Sequence, residues 1–442
     1  MNEDYELIPN TGVKKKDVKD FHVTHKGKMT CYHVTLISKG GRCPDCGKYV
    51  TRVHSRKRKK IPHYKDVLIF YEAARYRCSC GRTFYEENPF QSKDPYISDA
   101  AVDYILTEIK RYNHCFSEIA EALHISVTKV IEVFDAYVQI PRKPLREVIS
   151  IDEFHFSSRS RSKYAFLIMG LNGEILDVLD SRKKSPLLDY FQYIPKQERD
   201  RVKYVTMNMN ENYRDVVRRR LKNAVICIDS FHVVQLLSDK LDTVRKKVMK
   251  RYEKNKRSRE YYLLKHRYKL LFRSLGSVSV RREYNHHYRL PMSESELLDD
   301  ILKIDEELKR AYFLKEDYLS FNASFPMEKK EEHERMIDEL IEGFLHSDSR
   351  PMIEFGNTLI SWKEEILNSF ISYKGNRLSN GKIENKNKYI KKIKDIANGY
   401  SNFRRFRNRI MYSENPFEKP SEERIGKQVK RKMPKRGPYK KE

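Results

Sequence analysis

The most constraining part of the chain is residues 148–230, where short apolar runs alternate with segments of helical pattern. Two of the runs end on a carboxylate, because Asp152 follows the run that begins at Val148 and Asp229 follows the run that begins at Ala224. Short apolar runs between turn residues are typical of buried strands. The segment therefore predicts a sheet with acidic side chains at the ends of two strands.

The order of the predicted elements narrows the fold class. We expect strands over 148–156, 163–171, 174–181, 202–208 and 224–230, and helices over 186–199 and 211–222. Asn172-Gly173 is a typical tight turn between the second and third strands. Three antiparallel strands followed by helix, strand, helix and strand are the order of a ribonuclease H-like α/β core.

A third carboxylate, Glu384, lies far downstream, where Asn380-Gly381 interrupts the chain just before a basic helix. Asn387 and Lys391 follow Glu384 by three and seven residues, near the same helix face. We expect Asn387 to bind phosphate or metal-bound water and Lys391 to bind a phosphate. Three carboxylates in such a fold hold divalent ions that promote phosphodiester cleavage. Mg²⁺, or Mn²⁺ in its place, is expected, because Mg²⁺ prefers hard oxygen ligands.

The charge of the chain indicates its partner. The 442 residues include 89 Lys and Arg against 62 Asp and Glu, which gives a net charge of +27. Such an excess favours a polyanion, and we expect nucleic acid. The sequence has no apolar run long enough for a membrane span and no signal-peptide pattern at its beginning, so we expect a cytoplasmic, nucleoid-associated protein. The basic tail from Arg424 to Glu442 is predicted to be disordered and to contact phosphates.

Four of the seven cysteines form two closely spaced pairs. Cys43 and Cys46 have the C-x-x-C spacing, whereas Cys78 and Cys80 are one residue closer together. Paired thiols in a reducing compartment predict a zinc ribbon that binds Zn²⁺ through four sulfur atoms. Reduced, metal-free cysteines in a small β domain are the alternative. The other three cysteines are expected in the core. His54 and His63 could replace a thiolate, but both are expected at the surface.

Residues 116–131 have the pattern of a helix-turn-helix. Ala120 is the small residue that allows two helices to approach closely. Ser126 is a suitable N-cap for the second helix, whose exposed face would present Thr128 and Lys129 to DNA. An ordinary helical hairpin is the alternative interpretation.

These observations predict a multidomain α+β protein of six segments. The segments are a zinc-ribbon domain over 1–95, a helix-turn-helix over 96–142, the first part of the ribonuclease H-like catalytic core over 146–235, a large helical insertion over 236–375, the last helix of the core over 376–415, and a basic tail over 416–442.

The paired cysteines, the helix-turn-helix pattern and the motifs around Asp152, Asp229 and Glu384 together resemble bacterial insertion-sequence transposases of the ISL-three family. The resemblance extends over roughly residues 40–412. It implies a DDE-type enzyme that binds terminal inverted repeats and target DNA, cleaves strands with a divalent metal, and transfers them. Two element ends must be processed together, so the resemblance also implies a homo-oligomer on DNA.

One position departs from the pattern of the family. By strand order, the second acid should follow the strand 203–207, but this chain has Asn208 there. A neutral amide cannot match a carboxylate as a ligand of a hard dication. Strand order favours position 208 as the site, so the chain would be a weakened or inactive, transposase-derived DNA-binding protein. Alternatively, Asp229 is the working second acid, or Glu211 substitutes in part. A nuclease without strand transfer is a third possibility.

Overall fold

The computed structural model describes residues 5–157, 162–326 and 329–425, and these form a mixed α and β structure. The chain divides into two compact units, Met1–Arg142 with Asn387–Glu442, and Lys143–Lys386. Across the described ranges, every helix is too short or too polar to cross a membrane. Nearly all of the predicted basic tail, from residue 426 onward, lies outside the described residues.

The N-terminal part of the chain is mainly β-structure. Its strands are β1 (Val18–Lys26), β2 (Met29–Leu36), β3 (Gly41–Arg42), β4 (Tyr49–Val50), β5 (Val53–Tyr64), β6 (Val67–Arg77) and β7 (Thr83–Tyr85), with a 3-10 helix at Lys15–Asp17. The main sheet has the order β1-β2-β6-β5, and β7 pairs with β6. The β3–β4 hairpin is separate from it. One face of the main sheet is buried around Ile61, Ile69 and Tyr71.

His63 is buried, so the prediction of a surface position is wrong. Only 2% of the residue is exposed. It lies two residues after Ile61 in β5 and therefore faces the same core. Its Nδ1 lies 2.9 Å from the Ser98 hydroxyl, and its Nε2 lies 2.9 Å from the Pro9 carbonyl. Desolvation lowers the pKa of His63, which favours the neutral ring.

Three helices follow the first sheet: α1 (Asp99–Lys110), α2 (Phe116–Ala122) and α3 (Val127–Tyr137). The turn between α2 and α3 contains His124 with a left-handed backbone at φ +53°. Ser126 is the N-cap of α3, and its hydroxyl accepts a hydrogen bond from the Lys129 backbone N–H at 3.2 Å. Ala120 is buried, as the predicted close approach of α2 and α3 requires.

The second sheet and its helices follow the predicted order of elements. They are β8 (Val148–His155), β9 (Tyr164–Gly170), β10 (Ile175–Leu179), α4 (Lys184–Tyr193), α5 (Lys196–Asp200), β11 (Tyr204–Met207), α6 (Glu211–Arg220) and β12 (Val225–Ile228). The single helix predicted over 186–199 is in fact two helices, α4 and α5. The break comes at Ile194-Pro195, because a proline disfavours helical geometry at the residue before it. Ile194 is accordingly extended, with ψ at 133°.

The strand order of this second sheet is β10-β9-β8-β11-β12. The pairings of β8, β9 and β10 are antiparallel, whereas β11 runs parallel to both β8 and β12. The side chains of Ile151, Val205 and Ile228 lie in the main hydrophobic core. Because β8, β11 and β12 are parallel, their carboxyl ends meet at one edge of the sheet.

A mostly helical region comes next, as predicted. Its elements are α7 (Ser230–Arg251), α8 (Arg259–His266), β13 (Glu283–Asn285), β14 (Leu290–Met292), α9 (Glu294–Leu302), α10 (Glu306–Ala323), α11 (Lys330–Leu345), α12 (Arg350–Asn368), β15 (Ser372–Tyr373) and β16 (Asn376–Arg377), with 3-10 helices at Tyr268–Phe272 and Leu275–Ser277. Ser293 and Glu296 form a capping box at the start of α9. The two short hairpins interrupt what the sequence pattern predicts as nearly continuous helix.

The last described helices are α13 (Gly381–Ile396) and α14 (Phe403–Glu414). The boundary between the two units falls within α13, before Asn387. In the first unit, the Tyr412 hydroxyl of α14 donates to the Leu106 carbonyl of α1 at 3.1 Å. The finer division of the chain into six segments stays a prediction.

Candidate metal centres

Three parallel strands present polar side chains at one edge of the second sheet. Thr206 of β11 pairs with Ser150 of β8 and with Cys227 of β12. Two residues further along each strand, Asn208 therefore comes level with Asp152 and Asp229. Residues two apart in a strand share a face, so Asp152 leaves the sheet on the same side as Ser150 and Thr206, whereas the side chain of Asn208, beyond the end of β11, is directed at Glu153. Asp152 is 7% exposed and Asp229 is 2% exposed.

Asp229 is brought together with Glu384 and with His232. The three side chains can each offer a ligand atom, and these atoms lie within 4.8 Å of one another. Asp152 is not part of that group, although it shares the sheet edge. The structure thus clusters two of the predicted acids with a histidine that the sequence analysis did not assign to the site. His232 lies three residues after Asp229, and residues three apart at the start of a helix lie on the same side. This spacing was the signal that could have identified His232.

The local backbone explains the position of Asp229. It is the N-cap residue of α7, where an aspartate usually accepts hydrogen bonds from the first turn, but its side chain makes no capping bond. Instead, Oδ1 accepts a hydrogen bond from the Asn380 backbone N–H at 2.9 Å. Oδ2 is buried, accepts no hydrogen bond from any described residue, and lies 3.9 Å from His232 Nε2. The carboxylate is therefore fixed at one oxygen and available at the other.

Asn380 connects the sheet edge to the start of α13, which contains Glu384 in its first turn. Asn380 is fully buried. Its Oδ1 accepts a hydrogen bond from Thr206 Oγ1 at 2.5 Å, and its Nδ2 donates to the Ile151 carbonyl at 3.5 Å. The sequence analysis identified Asn380 only as a turn residue. Its bonds to strands far away in sequence left no local signal.

Thr206→Val is expected to destabilise the second unit by about 2 kcal/mol, because it leaves the buried Asn380 Oδ1 without its donor. The Ser150 hydroxyl, 2.7 Å from Thr206 Oγ1, would lose its partner as well. Urea unfolding followed by circular dichroism measures the loss. Thr243→Val is the matched control, because Thr243 is exposed and its hydroxyl bonds only within its helix. Equal stabilities of the two variants would contradict the connecting role of Asn380.

Asn208 is oriented toward Glu153. Its Nδ2 lies 3.4 Å from Glu153 Oε2, which also accepts a hydrogen bond from the Tyr213 hydroxyl at 2.5 Å. The other Glu153 oxygen pairs with Arg182 at 2.7 Å. Glu153 thus has donors on both oxygens. Glu211 is 64% exposed and pairs with Arg214 at 2.6 Å.

The four paired cysteines converge as the zinc-ribbon prediction requires. Their sulfur atoms all lie within 4.8 Å of one another. Cys43 Sγ is 3.6 Å from Cys80 Sγ, and Cys46 Sγ is 3.5 Å from Cys78 Sγ. Four sulfur atoms at 2.3 Å from a tetrahedral Zn²⁺ are about 3.8 Å apart, so the group fits this ion. None of these cysteines forms a disulfide.

Both cysteine pairs lie in turns that a glycine N–H closes, and the turns differ in length by one residue, as the cysteine spacings do. Gly47 donates its N–H to the Cys43 carbonyl, and Gly81 donates to the Cys78 carbonyl. Both glycines have positive φ, at +74° and +90°, where other residues are strained. The backbone N–H of Cys80 lowers the pKa of Cys78 to about 6, which favours the thiolate form.

The predicted DNA-contact residues lie on α3 and α13. Ser126 uses its hydroxyl to cap α3, whereas Thr128 is exposed. Lys129 Nζ pairs with Glu132 at 2.7 Å and lies over the Tyr96 ring. Lys391 is exposed on α13, and Asn387 is half-buried. Ser126, Thr128 and Lys391 are thus the exposed members of this set.

Comparison with known families gives one match. A family model described as a transposase, of the DDE type and the ISL-three group, matches residues 149–410, which is more than half of the chain. The matched span contains the sheet edge, the Asp229–His232–Glu384 group and Asn208. No curated protein matches the chain.

Proposed function

The chain belongs to the ISL-three family of DDE transposases, and on that premise we propose that it binds terminal inverted repeats and catalyses metal-dependent DNA cleavage and strand transfer. The observation that carries the proposal is the meeting of Asp229 and Glu384, within 4.8 Å, at the carboxyl edge of three parallel strands. These acids lie 155 residues apart in the sequence, so only the fold brings them together.

We further propose that the second sheet and its helices are a ribonuclease H-like core. Support comes from the strand order β10-β9-β8-β11-β12, in which three antiparallel strands are followed by two strands parallel to the first. The predicted first acid, Asp152, lies in the second half of β8, the strand that pairs with β11. The helix that carries the third acid comes late in the chain, as this fold class requires.

The proposed metal ligands are Asp229 and Glu384, with Asp152 as the remaining acid of the triad. A bound Mg²⁺ or Mn²⁺ would activate the attacking oxygen and stabilise the leaving one. Asp229 Oδ1 is held by the Asn380 N–H, which orients Oδ2 toward the ion site. No further positioning of that carboxylate is needed when DNA binds.

The proposed reaction has two displacements at phosphorus. Water forms a bond to phosphorus at the element end, the bond from phosphorus to the 3′ oxygen breaks, and a 3′-hydroxyl and a 5′-phosphate result. The freed 3′-hydroxyl then attacks a phosphodiester of the target DNA and displaces its 3′ oxygen, and the proton of the attacking hydroxyl passes to solvent. Each step forms one P–O bond and breaks one, the departing 3′ oxygen takes up a proton, and neither step needs an external oxidant or reductant.

DNA recognition is assigned to the N-terminal region. The four-cysteine domain and the α2–α3 pair would bind the terminal repeats, with Thr128 on the exposed face of α3. Asn387 and Lys391 would contact phosphates along α13. The net charge of +27 supports such a polyanionic partner. A homo-oligomer on DNA would hold two element ends together.

An inactive DNA-binding protein is the second candidate, and Asn208 is the observation that favours it. The sheet edge has a neutral amide between Asp152 and Asp229, in the position where strand order predicts an acid. A protein with that defect would still bind the repeats.

A cleavage and strand-transfer assay separates the two candidates. DNA that carries the end-labelled terminal repeat of the element that encodes the chain is incubated with the protein and Mg²⁺ or Mn²⁺. We expect a nicked product and, with target plasmid present, a joined product, and neither should form in excess chelator. Tight repeat binding without nicking in either metal would contradict catalysis. Nicking without joining would indicate a nuclease.

A further inference from the structure

The Asp229–Glu384 group contains a nitrogen ligand. We propose that His232 Nε2 is a third protein ligand of the ion at this edge, so that the site has two carboxylates and one imidazole and selects Mn²⁺ over Mg²⁺. The inference rests on the proposed function only in placing a divalent ion here. Three observations carry it: the mutual distances of the ligand atoms, the buried free atoms of Asp229 and His232, and the neutral residue at position 208.

The distances allow a shared ion. Asp229 Oδ2 and His232 Nε2 are 3.9 Å apart. Two ligands at about 2.1 Å from one ion are separated by at most about 4.2 Å, so both atoms can reach the same ion. One ligand atom from each of Asp229, His232 and Glu384 lies within 4.8 Å of the other two, so a modest side-chain movement would bring all three residues to one ion. This is a small adjustment for side chains at the start of two helices.

The two facing atoms have no other role in the described structure. His232 Nε2 is buried and has no hydrogen-bond partner among the described residues, and the same is true of Asp229 Oδ2. Buried polar atoms are nearly always partnered, because burial without a partner costs free energy. Two such atoms that face each other at 3.9 Å, beyond hydrogen-bond distance, indicate an absent third group between them. A cation satisfies both of them at once.

The choice of ion follows from the ligand set. Mg²⁺ favours oxygen ligands and near-ideal octahedral geometry, whereas imidazole suits first-row transition metals. In an all-acid edge, a carboxylate at position 208 would add negative charge that favours the hard ion. Here Asn208 is neutral, and its Nδ2 is directed at Glu153. A first-row transition ion such as Mn²⁺ can therefore bind the imidazole nitrogen of His232. Mg²⁺ has no additional carboxylate at position 208 to bind.

An ion pair between a protonated His232 and Asp229 is the competing explanation. It would also place the ring beside the carboxylate, but it would leave no nitrogen on the metal. The two explanations differ in whether a bound Mn²⁺ senses a nitrogen nucleus.

The test is pulsed electron paramagnetic resonance of Mn²⁺ bound to the full chain, which is first loaded with one molar equivalent of Zn²⁺ to fill the four thiols. We expect nitrogen hyperfine modulation in the unchanged protein, and its loss in His232→Gln. We also expect His232→Gln to weaken Mn²⁺ binding by about tenfold or more and Mg²⁺ binding far less, by analogy with the loss of metal-site contacts. His346→Gln is the matched control, because His346 is exposed in the same unit and bonds only within its helix.

A second variant keeps the test decisive if His232→Gln folds poorly. His232→Asp restores a ligand but makes it oxygen, so we expect bound Mn²⁺ without nitrogen modulation and a shift in preference toward Mg²⁺. Nitrogen modulation that persists in both variants, or that is absent in the unchanged protein, would overturn the proposal. Nitrogen ligation in a protein that cannot nick DNA would refute the proposed function alone. Nicking by a protein whose Mn²⁺ senses no nitrogen would refute the ligand assignment alone.

Discussion

Asp229→Asn is expected to lower the rate of strand cleavage by about 10³-fold or more while repeat binding stays within about threefold, as for removal of a group that acts on the transition state. The substitution preserves the size of the side chain and its acceptor for the Asn380 N–H, but it removes the charge that faces Glu384 and His232. Single-turnover cleavage of end-labelled repeat DNA measures the rate, and fluorescence anisotropy measures binding.

Two further variants show whether a lower cleavage rate in Asp229→Asn reflects a role of Asp229 as a metal ligand. Asp239→Asn removes an exposed carboxylate from the same helix, α7, and should leave cleavage unchanged. Asn208→Asp introduces the acid that strand order predicts. Activity that appears only in Asn208→Asp would place the second acid at position 208 and make the unchanged chain a DNA binder.

The surroundings of position 208 argue against a simple restoration of activity. Asn208 Nδ2 lies 3.4 Å from Glu153 Oε2, where an amide N–H can donate. An aspartate there would face the Glu153 carboxylate without a donor between them, and like charges at such a distance repel. The local environment is therefore compatible with asparagine, while Asp229 keeps an oxygen available.

The order of elements in the second sheet could be predicted because each strand is a short apolar run with its own turn signals. The break at Ile194-Pro195 was also present in the sequence, as a proline inside a helical pattern. The burial of His63 was not predicted, because it depends on Ser98 and Pro9, which are distant along the chain. A histidine near paired cysteines gives no local indication of which face of its strand is covered.

The site itself could be predicted only in part, for a related reason. Strand ends and a helix start identified Asp152, Asp229 and Glu384 as candidates, but sequence could not show which of them approach one another. The close group proved to be Asp229, His232 and Glu384, joined through Asn380. That grouping depends on the position of the first turn of α13 at the edge of the sheet, fixed through Asn380, which no local pattern encodes.

Cys43→Ser is expected to abolish stoichiometric zinc binding and to weaken terminal-repeat binding by more than about 10²-fold, because structural Zn²⁺ supplies about 10–16 kcal/mol to small domains. The hairpin that carries the first cysteine pair is too small to be stable alone. Its strands β3 and β4 have two residues each, and β7, after the second pair, has three. Isolated hairpins are marginal even when they are longer, so we expect the four thiolates and a bound Zn²⁺ to hold this region together.

Zinc content by atomic absorption and repeat binding by anisotropy test this prediction, and EDTA treatment should reproduce the loss in the unchanged chain. Cys31→Ala is the matched control, since Cys31 is also buried but lies outside the four-cysteine group. It should keep one zinc ion and full repeat binding. If Cys43→Ser binds the repeats as tightly as Cys31→Ala, DNA recognition does not depend on the four-cysteine region and must be assigned to the α2–α3 pair and α13.

Thermal unfolding of the second unit should be the same in both variants, because the four cysteines belong to the first unit.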